Sequence, residues 1–504
     1  MRRRSVSLQA WLPPTFVLAM SLFYVSLSTK RGESLALLFL AALLLGLLVF
    51  AGARRPLLMV CVLAVFVPLQ TAILAFLYAI GVPGGAVRGL GFVKEAAVAA
   101  LVLAAIQHSV RSERRVVVGI AATYLTLVAG FLVLPAVAPG VLYDFPLGVR
   151  LLAGRSECLG IVALVALCHL RLPADALRRV GTCVVVTGVI LGAGAIWQII
   201  PGSGFDQFGE TFLHITAFRR DVLGADDALG RSLTLTTVQS GAITIRAGSF
   251  LYEPLTLAFY LIIPFALLCA RLTLRYRFTD IVGLAVVASG LLATSTRSSA
   301  VAAAVAAVAV VALSQGAARA RATAALAALG ALVGGSVGAS LLRRLAEAQG
   351  GQDASTLEHK RLTQLAYQAF LDNPLGRGLG ASPGSGIRQR ANGALTAENA
   401  YLAVGLETGL LGLALFVGLL LASMLAVGRG ARDDAWRRGL VAAGIGLTVS
   451  GFFLHTWSPF AVSLTYWPIV GVALARSREP APPTPAGPTV VAGHPTTSGP
   501  FAMV

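Results

Sequence analysis

Charge is scarce in this 504-residue chain. Asp, Glu, Lys and Arg together make up 12% of it, against roughly a quarter in soluble globular proteins. With 57% hydrophobic residues and a mean hydropathy of +0.80, an ordinary water-soluble enzyme is excluded. Cysteine is sparse too. Cys61, Cys158, Cys168, Cys183 and Cys269 lie within or beside apolar runs and show neither a disulfide framework nor metal-ligand spacing, so they read as small buried hydrophobes. The six histidines are scattered, with His108, His169 and His494 on one predicted side and His214, His359 and His455 on the other; no metal site is expected. No internal repeat stands out, which disfavours transporters built from paired repeats. Acidic residues number 22 against 40 Lys and Arg, a formal net charge of +18. The cations fall in short clusters between apolar runs, which is topology information and not a nucleic-acid footprint.

What the chain does have is apolar runs of bilayer length. About fourteen recur, and only helices satisfy the backbone inside them, so the expectation is an all-α polytopic membrane protein. Arg2 to Arg4 precede the first span, near Leu12 to Ser28, and no signal-peptidase site follows it. The sixth span is expected over Ser156 to Leu170, the tenth over Ala300 to Leu313 and the twelfth over Ala400 to Val427. Arg54-Arg55, Arg114-Arg115, Arg178-Arg179, Arg271, Arg319, Arg437-Arg438 and Arg476 then fall on one side, which the positive-inside rule makes the cytoplasm, with both termini there. Two polar stretches, residues 201–253 and 343–399, become large extracytoplasmic loops. Residues 1–478 form the transmembrane domain, and 479–504, rich in Pro, Thr and Gly, read as a disordered cytoplasmic tail.

The outer face keeps its own polar chemistry. Arg246 and Glu253 close the first loop in RAGSFLYEP, with Pro254 placed to start a helix. Arg297 stands in the polar turn Ser295-Thr296-Arg297-Ser298-Ser299 between two helices made largely of alanine and valine. Glu398-Asn399 leads directly into the apolar run at Ala400. Arg219, Arg220, Arg361, Arg377, Arg388 and Arg390 add cations on that face, and a guanidinium suits phosphate because its planar fork binds two oxygens at once. Each has a plainer reading: Arg246 snorkelling at a helix end, Arg297 touching head groups, Glu398 favoured by a helix macrodipole. Lys94-Glu95 reads as a local ion pair. The glycines Gly376, Gly378, Gly380, Gly384 and Gly386 are not followed by Gly-Lys-Ser/Thr, so they read as turns in a surface loop and not as a phosphate loop.

Three elements in order, the arginine of RAGSFLYEP, the TSTRSSA turn, and a loop with an amphipathic segment, NPLG-x-G and then Glu398-Asn399-Ala-Tyr-Leu…GLETGLLGLALF, resemble the O-antigen ligase and O-antigen polymerase superfamily over roughly residues 180–475. The resemblance implies a GT-C-like bundle in the bacterial cytoplasmic (inner) membrane. It implies a glycosyltransferase that inverts without metal or cofactor, taking a glycan from an undecaprenyl-diphosphate carrier to an acceptor glycan or lipid on the extracytoplasmic face. In that scheme Arg246 and Arg297 hold the diphosphate, Glu398 is the base and Asn399 orients it or a sugar. Glu253 binds acceptor sugar, Tyr252 offers a stacking face, and Arg361 and Arg220 assist substrate binding. The ligases usually carry His-Asn where this chain has Glu398-Asn399, which favours a polymerase of O-antigen or exopolysaccharide type. A ligase is the nearest alternative and a lipid-linked oligosaccharide flippase the next. A chain-length regulator or a flippase is a candidate partner; nucleic acid is not.

Overall fold

The structure is a computed structural model that describes residues 35–108, 114–137, 145–224, 235–239, 242–333, 354–382 and 394–477. The first expected span, Arg388, Arg390, Gly384, Gly386 and the 479–504 tail lie outside the described residues.

Apolar composition makes the first elements. Leu35–Ala53 (α1) and Pro56–Ala79 (α2) are hydrophobic nearly throughout, and Pro56 enters at the first turn, where its missing N–H is not needed. Short Gly84–Leu90 (α3) leads into Val93–His108 (α4), followed by Arg115–Val137 (α5) and Leu147–Cys168 (α6). Arg171–Leu172 (β1) precedes Ala176–Ile199 (α7), and the first long loop contributes Phe205–Thr211 (α8), Ile215–Asp221 (α9) and the antiparallel pair Leu235–Gln239 (β2) and Ala242–Arg246 (β3). Then come Pro254–Leu272 (α10), Phe278–Ala293 (α11), Arg297–Leu313 (α12) and Gly316–Val333 (α13). The second loop holds the amphipathic Ala354–Asp372 (α14); Ala400–Gly428 (α15), Ala435–Gly451 (α16), Phe460–Leu474 (α17) and Arg476–Ser477 (β4) complete the order.

Among the described residues, seven helices are long and apolar enough to cross a bilayer, and four shorter apolar helices accompany them: the chain is a mostly helical, multi-pass membrane protein. Two boundaries depart from expectation. α6 begins at Leu147, not Ser156, so Arg150 and Arg155 lie within a helix; packing on one face tolerates a polar run that hydropathy alone reads as loop. α12 begins at Arg297, not Ala300, so the arginine opens the helix instead of sitting in the turn.

α10 lies at the centre, with 89% of its apolar window buried. Helices approach it and one another through glycines, because lipid supplies no hydrophobic drive between helices and close backbone contact must. A Cβ on Gly446 of α16 would stand 2.8 Å from the Ala302 carbonyl of α12, and one on Gly439 would stand 2.8 Å from Leu267 Cα of α10. A Cβ on Gly290 of α11 would meet Gly192 Cα of α7 at 2.6 Å. Gly446 also faces Ile262 of α10, so α16 runs antiparallel to α10.

The bundle has two distinct ends. At one, the Arg438 guanidinium donates to Thr273 Oγ1 and to the carbonyls of Ala431 and Arg432, Arg271 pairs with Asp280 at 2.6 Å and lies over the Trp436 ring, and β1 pairs in parallel with β4. These are residues that sequence placed together in the cytoplasm. The opposite end carries the polar residues expected outside.

Candidate functional site

The first two sequence-predicted cations meet at one turn. β3 ends at Arg246, and Ala247 N donates to Ala293 O at 3.0 Å, fixing the first loop against the end of α11. The Arg246 guanidinium donates through Nε to Thr294 O (3.2 Å) and through Nη2 to Thr296 Oγ1 (3.1 Å). Burial lowers the pKa of this guanidinium from its ordinary value, yet arginine stays charged. Thr296 is the N-cap of α12 and Arg297 its first residue, so a second half-buried guanidinium stands where the helix dipole is already positive. Ser295 makes the turn with φ +52°. From below, Gln198 Oε1 accepts from Gly248 N (3.0 Å) and Ser249 N (2.9 Å), clamping the loop to the end of α7.

Glu398 stands at the same end of the bundle. Ala302 of α12 touches Gly446 of α16; moving five residues outward along each helix, about 7.5 Å of rise, arrives at Arg297 and at Gly451. There Tyr401 at the start of α15 packs on Gly451 and donates its hydroxyl to Thr448 O (2.8 Å), and Asn399 Nδ2 donates to Phe452 O (3.0 Å). Glu398 is the residue before that tie. Its Oε2 lies 3.2 Å from His359 Nδ1, brought over by α14. His455, just beyond α16, bonds through Nδ1 to Ala397 O at 2.7 Å. Burial pushes the Glu398 carboxyl pKa up, but the His359 hydrogen bond and the charges of His359 and His455 together bring it below the ordinary carboxylate value.

The NPLG-x-G element is not a surface loop. Gly376 to Ser382 are buried against α15, which breaks at Gly409 (φ 72°, ψ −174°). That break parts the helical pair Leu406 O and Leu410 N, and the loop takes both groups: Arg377 N donates to Leu406 O (2.7 Å) and Leu410 N donates to Pro374 O (2.8 Å). Gly380 N also donates to Glu407 Oε1 at 3.1 Å. The two halves of the sequence signature, NPLGRG and GLETG, are therefore one interlocked structure.

The remaining predicted residues divide. Asn399 is the N-cap of α15, its Oδ1 accepting from Tyr401 N (2.9 Å) and Leu402 N (3.0 Å), so both ends of the amide are engaged by protein. Asn399→Ala should lower stability by about 1–2 kcal/mol, measured by thermal unfolding of the solubilised protein, while Asn399→Asp should keep the cap and lose the bond to Phe452 O. Glu253 is exposed at the N-cap of α10 and accepts from Thr256 Oγ1 at 2.7 Å. Tyr252 departs from its expected role as a stacking face: it is only 6% exposed, and its ring packs beside Phe205 in a small aromatic core under the first loop. Arg361 forms a two-bond pair with Glu358 (3.0 and 3.1 Å), and Arg220 pairs with Asp221 (2.9 Å); both lie on exposed helix faces. Sequence reading also missed a partner for Lys94-Glu95. Arg155 of α6 bonds Glu95 Oε1 through Nε at 2.6 Å, and both cations lie 5.1 Å from the Phe460 ring centroid. No group of three or more His, Cys, Asp or Glu that could hold a metal ion occurs among the described residues.

The described residues thus form a multi-pass helical bundle with arginines and a histidine-flanked carboxylate at one end. Residues 282–417 match the family model described as O-antigen ligase, which supports the resemblance to the O-antigen ligase and polymerase superfamily. The matched stretch contains Arg297, the NPLG-x-G loop, Glu398-Asn399 and the Gly409 break; Arg246 lies ahead of it. No curated protein matches the chain at a significant level.

Proposed function

We propose that this chain is a glycosyltransferase that joins lipid-diphosphate-linked glycan repeat units into a surface polysaccharide, acting on the extracytoplasmic side of a bacterial cytoplasmic membrane with both termini inside. The observation that carries this reading is the convergence of Arg246, Arg297 and Glu398, from three separate stretches of chain, on one end of the bundle. Undecaprenyl diphosphate is the carrier that the family resemblance favours.

The reaction needs two kinds of group. Negative charge builds on the departing diphosphate as its bond to the anomeric carbon breaks, and preorganised cations stabilise it. Arg246, held by Thr294 and Thr296, and Arg297, on the helix N-terminus, fill that role. The acceptor hydroxyl must lose its proton as its oxygen attacks from the opposite side, which inverts the anomeric centre. The Glu398 corner, with an imidazole on either side, is the proton-accepting region.

Glu398→Gln should lose most activity while carrier binding is retained; unchanged turnover would remove Glu398 from the reaction. The wider test uses purified protein with a synthetic diphospholipid-linked glycan. A ladder of products supports the polymerase, and no product at all would defeat the glycosyltransferase reading. Transfer only to an added acceptor supports a ligase; in cells, a deletion would then leave polymer made but unattached.

A further inference from the structure

We propose that the group that takes the acceptor's proton is the imidazole of His359, with Glu398 as the carboxylate that orients it. The assignment rests on the glycosyl-transfer reading above and names the proton acceptor within it.

Three groups meet at this corner, and their hydrogen bonds differ in kind. An ionised carboxylate only accepts, so the 3.2 Å contact between His359 Nδ1 and Glu398 Oε2 puts the ring proton on Nδ1 and makes Nε2 the basic nitrogen of the neutral ring. When Nε2 takes a proton, the imidazolium is compensated by the carboxylate it already touches, which is the part an acid plays behind a catalytic histidine. His455 is held equally well, Nδ1 against Ala397 O at 2.7 Å, but its hydrogen bond is to a neutral carbonyl and Glu398 acts on it only through space. Exposure points the same way. The His359 side chain is 43% exposed and that of Glu398 only 16%, so a substrate reaches the ring before the acid.

Basicity agrees with geometry. A carboxylate held below its ordinary pKa is a weak proton acceptor near neutrality, whereas an imidazole titrates close to that range. Among the described residues, other charged or titratable groups lie on the same helix and beyond α16. Glu358 and Arg361 on α14 neutralise each other at 3.0 and 3.1 Å, Lys360 is on the same helix, and His455 faces from beyond α16.

The fold explains how a side chain on an outer helix is held to this tolerance. α14 packs on α15, where a Cβ on Gly405 would stand 2.9 Å from the Phe370 ring, and its C-terminus runs straight into the loop locked onto the Gly409 break. His359 is thus carried by an element fixed at its far end to the same helix that Glu398 precedes. In the step itself, the acceptor O–H proton passes to Nε2 and the acceptor oxygen forms its bond to the anomeric carbon. The bond from that carbon to the lipid diphosphate breaks, its electron pair leaving with the phosphate oxygen.

The test is a set of initial rates on purified full-length protein with synthetic diphospholipid-linked glycan, from about pH 5 to pH 9, a range that brackets imidazole titration. The wild type should lose kcat on the acid side with a limb in the imidazole range. His359→Asn should lower kcat by roughly 10²–10⁴-fold with little change in KM, and should abolish that limb. Glu398→Gln should move the limb to lower pH, because removing a negative neighbour makes the imidazolium easier to deprotonate. His359→Ala should regain part of its rate with added imidazole, which separates lost chemistry from lost folding. The assignment is overturned if His359→Asn keeps wild-type rate and limb, or if the limb disappears with His455→Asn instead. An inert wild type would overturn the glycosyl-transfer reading itself.

Discussion

Replacing Arg297 with alanine should reduce product formation by about 10²–10³-fold or more, the usual loss when a preorganised charge facing the transition state is removed. Membrane expression should be unchanged. Position 297 is the half-exposed first residue of α12, where alanine, the best helix former, fits the backbone. Arg246→Ala should lose as much activity, but it also deletes the bonds to Thr294 O and Thr296 Oγ1, so a stability loss on the order of 1–2 kcal/mol should accompany it. Lysine at either position keeps the charge and loses the two-oxygen fork, and should recover only part of the rate. The measurement is product length and yield from membranes with matched protein levels. Normal polymer from either alanine variant would remove that arginine from the site.

Gly409→Ala should cost on the order of 3 kcal/mol or more, because it combines a backbone conformation open almost only to glycine with a direct collision. The added Cβ would lie 2.5 Å from the carbonyl carbon and oxygen of Leu375, which belong to the loop that has taken over the two peptide groups parted by the break. Gly376→Ala attacks the same joint from the other side, its Cβ 2.6 Å from Gly409 N with φ +92°. Gly418→Ala, on the same helix with open space around it, is the control and should be neutral or slightly stabilising. Melting and gel filtration of the solubilised proteins decide this. A Gly409→Ala protein as stable as the wild type would mean that the loop is not locked to the helix.

Much of the architecture was legible because hydrocarbon imposes its own grammar. Apolar run length located the apolar helices, and arginine clusters sorted residues into two ends that the structure keeps apart. Arg246 and Arg297 could be picked out because polar residues at span edges are conspicuous against alanine and valine. What stayed hidden depended on distance in sequence or on packing. Nothing in the chain announces that His359 will lie against Glu398, or that Arg155 will join Lys94-Glu95, since helices remote in sequence bring them together. The start of α6 was missed because Arg150 and Arg155 resemble a loop until neighbours surround them. The buried glycines of NPLG-x-G misled for the converse reason: turn residues look like surface, and only the broken helix opposite shows why they are inside. Tyr252 could not be oriented at all, because a ring beside a loop points outward or into an aromatic nest with equal ease.

The glycine contacts between helices bear on whether such a chain carries glycans through the bilayer. Alternating access asks one group of helices to rock against another, sliding or parting across a lubricated seam. Here the seams between α7 and α11 and between α12 and α16 are backbone laid on backbone, at Gly192 with Gly290 and at Gly446 with Ala302. A body bolted along those lines suits a fixed anvil at the membrane's edge better than a gate that opens in turn to either side.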